Sequence, residues 1–104
     1  MDNFELIKKI SEMDVEQAFE IIKSKQGFSQ YTKSEAPYFM QPEGRIYTLY
    51  EHDFLFSSGD IITYTAKEGT PADEKGIWDC FRQAEDKWYR WQDSQFVLHN
   101  ASKP

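Results

Sequence analysis

The sequence predicts an α+β fold with two short N-terminal helices, an antiparallel β-meander of two to four strands, and one long C-terminal amphipathic helix packed on the sheet. Three observations predict it. Apolar residues recur at helical spacing near the start, strand-favouring residues fill the middle, and a long apolar stripe follows. At 104 residues, the chain is expected to form a single domain over residues 1–104.

Residues 1–27 are predicted to form a helical pair, the first helix spanning about 3–12. The second helix begins at Asp14, whose carboxylate is placed to cap the backbone amide of Gln17. Gly27 fits the left-handed position that commonly follows a helix. The join between the helices is too short for a flexible linker, so a helical hairpin or corner is expected.

Residues 28–44 are predicted to be an irregular loop, because Pro37 and Pro42 interrupt them. The segment is unusually apolar for a loop. Its aromatic residues Tyr38 and Phe39 either pack as a lid over the edge of the core or belong to a binding loop. Both residues are therefore candidate binding residues.

Residues 45–67 are predicted to form the meander, because they are rich in strand formers and a hairpin turn is expected at 57–60. A polar break leaves open whether residues 45–56 form one strand or two. Residues 96–99 are a candidate edge strand, and residues 100–104 are expected to be a frayed tail.

Residues 70–91 are predicted to form the long helix, with Thr70 as its cap and Pro71 in the first helical position. At 100° per residue, five apolar side chains fall within an arc of about 80° and form one stripe. These residues are Ile77, Phe81, Ala84, Trp88 and Trp91. The stripe is expected to pack on the sheet.

A second row on the flank of this helix comprises Trp78, Arg82, Glu85 and Tyr89. Tryptophan, tyrosine and arginine are enriched at interface hot spots, so the row is a candidate binding surface. The alternative is that the row is buried under the sheet edge or the 36–42 loop.

Eighteen acidic residues against twelve basic residues give a net charge of −6. Direct binding to nucleic acid or to an acidic membrane is disfavoured, because both need a basic surface. The expected partner is another protein, which a basic surface on that protein would suit electrostatically. The alternative interpretation is that the net negative charge serves only to keep the protein soluble.

The sequence contains no catalytic, metal-binding or cofactor-binding motif, so we expect a protein that is not an enzyme and needs no metal or cofactor. Cys80 is the only thiol, and His52 precedes Asp53 in a predicted turn. Cys80 is expected to be a buried structural cysteine, and His52 and Asp53 are expected to lie in a turn exposed to solvent. A single cysteine and an acidic start without a long apolar segment favour a cytoplasmic location.

These observations predict a small acidic interaction protein that binds and modulates or inhibits another macromolecule. Phage and mobile-element inhibitors of host nucleases or defence complexes are proteins of this size and charge, and some act by nucleic-acid mimicry. The alternative is a small-molecule or nucleotide-binding domain with an aromatic pocket. That pocket would be lined by Tyr38, Phe39, Tyr47, Tyr50 and Tyr64.

Overall fold

The computed structural model describes residues 3–40, 45–67 and 77–100. They form helices α1 (Asn3–Ile10) and α2 (Val15–Ser24) and strands β1 (Phe28–Met40), β2 (Arg45–Phe56), β3 (Asp60–Lys67), β4 (Ile77–Ala84), β5 (Lys87–Gln92) and β6 (Gln95–Asn100). The strands make one antiparallel sheet in the order β1-β2-β3-β4-β5-β6, so each pairs with the next along the chain. The described fold is therefore mostly β, so the predicted α+β class and the meander of only two to four strands are wrong.

The two short N-terminal helices are confirmed. Asp14 caps α2 as predicted, and its carboxylate accepts a hydrogen bond from the Gln17 amide at 3.0 Å. Gly27 has a φ of +86°, and its carbonyl accepts the Ser57 amide at 2.8 Å. In the described part of the chain, neither helix is long and apolar enough to cross a membrane.

The predicted long helix at 70–91 is wrong. Its first seven residues lie outside the described ranges, and the rest forms the antiparallel strands β4 and β5. Glu85 and Asp86 reverse the chain with φ angles of 53° and 64°. The helical spacing was not decisive, because tryptophan, tyrosine, phenylalanine and isoleucine also favour strands. Pairing of residues 77–82 with β3 stabilises the strand instead of the helix.

The apolar stripe predicted for that helix does not exist as one surface. Gln83 pairs with Trp88 and Phe81 pairs with Arg90, so Phe81 and Trp88 share one face of the sheet while Trp91 lies on the other. Ile77, the first residue of the stripe, is 65% exposed.

Regular structure also replaces most of the loop predicted for 28–44. Residues 28–40 form β1, which pairs with β2 from Phe28 opposite Phe56 to Met40 opposite Arg45, while residues 41–44 lie outside the described ranges. Pro37 is tolerated because β1 is at the edge of the sheet. Residues 45–56 form one strand, which resolves the alternative left open above.

The predicted edge strand at 96–99 is confirmed as β6, which starts at Gln95 and ends at Asn100. The predicted start of the frayed tail at residue 100 is wrong, because Asn100 still belongs to the strand. Residues 101–104 lie outside the described part of the chain.

Both helices pack on the same face of the sheet, which we call the helix face. Phe19 of α2 contacts the rings of Phe54 and Tyr64 at 5.1 and 5.7 Å, and Phe4 of α1 stacks on Trp91 at 3.6 Å. The buried core cluster lies between this face and the helices. It comprises Leu6, Ile10, Ala18, Ile22, Phe54, Phe56 and Ile62.

Side chains alternate along each strand, so the residues between those of the core point to the opposite face, which we call the open face. It carries Asp53, Thr63, Asp79 and Arg90. Asp53 and Thr63 are buried there, and Thr63 Oγ1 donates a hydrogen bond to Asp53 Oδ1 at 2.8 Å.

Candidate functional site

Three residues of the predicted flank row, Trp78, Arg82 and Tyr89, lie on the helix face of the sheet, whereas Glu85 is in the β4–β5 turn. Trp78 lies on the helix face, with its ring 4.7 Å from Tyr64 and 6.0 Å from Phe19. It packs against the core cluster. Trp78 is therefore a half-buried residue of the sheet that packs beside Phe19 of α2, an arrangement that neither interpretation of the row predicted.

Arg82 and Tyr89 are brought together, because they are direct cross-strand partners in β4 and β5. Arg82 is committed within the protein: its Nε donates to Asp60 Oδ1 at 2.6 Å, and its guanidinium lies 4.1 Å above the ring of Phe96. The hydrogen bond to Asp60 raises the pKa of Arg82 above its ordinary value. Asn3 donates a hydrogen bond to the other carboxylate oxygen of Asp60, and this hydrogen bond connects α1 to the sheet.

Glu85 lies apart from the other three residues, in the exposed turn between β4 and β5. Tyr38 and Phe39 belong to the β1–β2 hairpin, where they pair in register with Tyr47 and Ile46. The side chains of Tyr38 and Phe39 lie outside the described part of the structure, and the strand order places β2 and β3 between β1 and the strand of Arg82.

A cluster of rings on the helix face bears on the aromatic-pocket hypothesis. Tyr64 is 3% exposed beneath Phe19 and Trp78, so its ring is not open to stack on a ligand. Lys23 Nζ lies 4.8 Å above the ring of Tyr31, and Lys33 Nζ lies 4.4 Å above that of Tyr50. Of these two rings, only that of Tyr50 belongs to the predicted pocket, and Lys33 covers one of its faces.

His52 joins this ring cluster through a 2.8 Å hydrogen bond between its Nδ1 and the Tyr31 hydroxyl. Burial lowers the pKa of His52, with the charge of Lys33 acting in the same direction. Burial also raises the pKa of Tyr31. A neutral imidazole bonded to a neutral phenol suits packing within the fold better than proton transfer.

Cys80 is 2% exposed, and burial raises the pKa of its thiol to about 12. Only a thiolate is an effective nucleophile or metal ligand, so this thiol is suited to neither role. Among the described residues, no group of three or more histidine, cysteine, aspartate or glutamate side chains is arranged to hold a metal ion.

A shallow groove runs along the outer side of α2. It has a volume of ≈ 550 Å³ and is lined by Met13, Glu16, Gln17, Glu20 and Ile21. Met13 and Ile21 are half-buried against the core, so they supply the apolar floor. The two glutamates are exposed and lie one helical turn apart on the same stripe.

The groove glutamates are uncompensated within the described residues, where neither forms an ion pair or a side-chain hydrogen bond. Like charges four residues apart destabilise a helix by about 0.2–0.5 kcal/mol, although a position near the helix N-terminus offsets part of this. Adjacent apolar and acidic groups suit a ligand that is both apolar and basic.

Sequence reasoning missed this groove, although a signal for it was present. The buried face of α2, which includes Ala18 and Ile22, does not include the half-buried Met13 and Ile21. Met13 and Ile21 are apolar residues eight positions apart with Glu16 and Glu20 between them. Within α2, helical spacing places Glu16 and Glu20 one turn apart beside Ile21, whereas Met13 precedes the helix and its position follows only from tertiary packing.

Comparison with known proteins finds no match to this chain among protein-family models, curated proteins or solved structures.

Proposed function

We propose that this protein is a non-enzymatic interaction protein that binds a basic, partly apolar segment of another protein in the α2 groove and thereby modulates that partner. The groove itself carries the proposal, since it combines an apolar floor at Met13 and Ile21 with exposed carboxylates at Glu16 and Glu20. The partner would seat one or two apolar side chains on the floor and place lysine or arginine beside the carboxylates.

The charge of the whole chain supports the same kind of partner. A net charge of −6 attracts a basic segment at long range and raises its association rate, an effect that salt weakens. The exposed Glu12 and Asp14 lie close along the chain and add to the negative potential near the groove. Binding should therefore weaken as the salt concentration rises.

Site-specific photocrosslinking in the native cell tests this proposal. A photoreactive phenylalanine analogue replaces Gln17, an exposed groove residue, and in a matched control replaces Gln92, an exposed residue at the end of β5. Mass spectrometry should identify a partner peptide rich in lysine or arginine that is attached at position 17 and absent at position 92.

Charge reversal gives a second, independent measurement. Glu16→Lys with Glu20→Lys should abolish capture of that partner, whereas Glu35→Lys with Glu85→Lys should retain most of it. Both double variants change the net charge equally, and all four glutamates are exposed. Equal loss of capture in the two variants would show that overall charge, not the groove, governs binding and would overturn the proposal.

A further inference from the structure

The two edge strands of the sheet differ in how they are protected against pairing with another strand. β1 carries Lys33, Glu35 and Pro37, and its register shifts between Phe28 and Gln30. Charges, proline and irregular register are features that keep an edge strand from pairing. By contrast, β6 contains no proline, lysine, arginine, aspartate or glutamate over Gln95–Asn100, and its register shift against β5 lies beyond Leu98, leaving Gln95–Leu98 regular.

The unprotected strand β6 also exposes apolar side chains on both faces of the sheet. Val97 is 39% exposed on the open face, and Leu98 is 55% exposed on the helix face. Among the described strands, β6 pairs only with β5. A strand of this kind is a template for another strand.

The turn before β6 determines which backbone groups point away from β5. Asp93 and Ser94 have φ angles of 50° and 65°, and Gln92 pairs with Gln95, as in a two-residue hairpin loop. The pair that closes such a loop is hydrogen-bonded, and bonded and non-bonded pairs then alternate. The amide and carbonyl groups of Phe96 and Leu98 therefore point outward from the sheet.

We propose that β6 pairs antiparallel with β6 of a second copy of this chain, with the two-fold axis midway between the two copies of Val97. A two-fold axis perpendicular to the sheet leaves the helix faces of both copies on the same side. Directly opposed residues also share a face, so the residue at the centre of the contact must lie opposite its own copy. With Val97 on the axis, Phe96 lies opposite Leu98 of the second copy. The outward groups of these two residues then form four hydrogen bonds.

This register is also complementary in its side chains. On the helix face, phenylalanine meets leucine twice, and on the open face, valine meets valine. No charged side chain of the strand is brought against another. A second copy is therefore a better fit to this edge than a charged or proline-containing segment.

The size of the contact indicates a reversible dimer. Pairing two six-residue strands buries less than the roughly 1,200–2,000 Å² of a standard stable interface. Two copies that each carry −6 also repel each other at long range, so salt should strengthen the dimer by screening. This salt dependence is opposite to that expected for a basic partner in the α2 groove.

Disulfide trapping tests the proposed register. Directly opposed residues in a non-hydrogen-bonded pair have Cα atoms about 4.5 Å apart, within disulfide range. Val97→Cys should therefore form a covalent dimer in oxidised glutathione. Leu98→Cys is the matched control, because its symmetry mate lies diagonally at about 7–8 Å, beyond easy bridging.

The buried Cys80 should not interfere with this experiment, because its thiol is protonated and enclosed. Leu98 is more exposed than Val97, so random collisions would crosslink position 98 faster. Faster trapping at Val97 supports the proposal. Equal or faster trapping at Leu98, or no trapping at either position, overturns it.

Sedimentation velocity over a concentration series gives the second measurement. The wild-type chain should pass from monomer to dimer, and more readily at higher salt. Val97→Lys places two ammonium groups on the axis and should remain monomeric. Gln83→Lys adds the same charge on the same face at an exposed residue of β4 and should still dimerise. A wild-type chain that stays monomeric throughout would overturn the proposal.

Discussion

The two faces of the sheet are stabilised by different interactions. The helix face is covered by α1 and α2 and carries mostly aromatic and aliphatic side chains, among which Phe54 and Ile62 are completely buried, together with one ion pair between Asp60 and Arg82. The open face includes polar pairs that join neighbouring strands, Thr63 with Asp53 and Arg90 with Asp79. Burial of apolar surface should therefore dominate stability on one face, and hydrogen bonds and ion pairs should contribute more on the other.

The largest expected effect tests the helix face. Phe54 is fully buried and its ring contacts those of Phe19, Phe28 and Tyr31. Phe54→Ala should lower the free energy of unfolding by about 3–5 kcal/mol, because it removes apolar contacts and leaves a cavity. Urea denaturation followed by tryptophan fluorescence measures the loss.

The neighbouring Leu55 provides the control, because it lies in the same strand on the open face and is only half-buried. Leu55→Ala should cost clearly less than Phe54→Ala. If the two substitutions lower the free energy of unfolding equally, the proposed difference between the faces is wrong.

The second prediction concerns the buried hydrogen bond on the open face. Thr63→Val keeps the side-chain shape but removes the hydroxyl that donates to Asp53 Oδ1 at 2.8 Å. Both residues are buried, so loss of this donor to a buried carboxyl group should cost about 1–3 kcal/mol. Urea denaturation at neutral pH measures it.

Thr63→Ser is the companion substitution, because it retains the hydroxyl and removes only a methyl group. It should recover most of the stability that valine loses. A serine variant as unstable as the valine variant would show that packing of the methyl group, not the hydrogen bond, stabilises this part of the open face.

The third prediction separates backbone strain from the side-chain chemistry of either face. Glu85 and Asp86 both have positive φ in the turn between β4 and β5, a conformation that is unfavourable for residues with a Cβ. Asparagine and glycine are preferred there, so Glu85→Asn with Asp86→Gly should stabilise the protein by about 1–2 kcal/mol. The thermal midpoint should rise accordingly.

Gly59 provides a test of opposite sign. It already has a φ of +90°, and a Cβ added there would lie 3.2 Å from the carbonyl oxygen of Gln83. Gly59→Ala should therefore destabilise the protein. Stabilisation by alanine at Gly59, or destabilisation by the asparagine–glycine pair, would contradict this account of the turns.

The same turns explain why part of the fold was predictable from sequence and part was not. The β2–β3 hairpin was predicted because Gly59 lies between two runs of strand-forming residues. The β4–β5 turn contains only Glu85 and Asp86, which equally suit the exposed side of a helix. Without a turn signal, helical spacing from Ile77 to Trp91 was the stronger pattern.

The predicted arrangement of the candidate residues was wrong for a related reason, while their role in binding stays a prediction. A continuous row that includes Glu85 exists only on a helix; in the sheet, Trp78, Arg82 and Tyr89 share one face and Glu85 lies in the turn. The α2 groove and the exposed β6 edge depend on elements that the sequence did predict. Their importance emerges only when tertiary packing shows which sides of those elements are left uncovered.

The smallest expected effect belongs to the ion pair on the open face. Arg90 donates to both carboxylate oxygens of Asp79, and the two side chains are 37% and 25% exposed. Solvent screens a pair of this kind, so its coupling energy should be about 0.2–1 kcal/mol. A double-mutant cycle with Arg90→Gln and Asp79→Asn measures that coupling.

Salt distinguishes this ion pair from the buried hydrogen bond on the same face. Sodium chloride should reduce the coupling between Arg90 and Asp79, because exposed charges are screened. The loss caused by Thr63→Val should change little, because its hydroxyl is neutral and buried. If the Arg90–Asp79 coupling exceeded the cost of Thr63→Val and were insensitive to salt, the ion pair would be the main polar stabiliser of the open face.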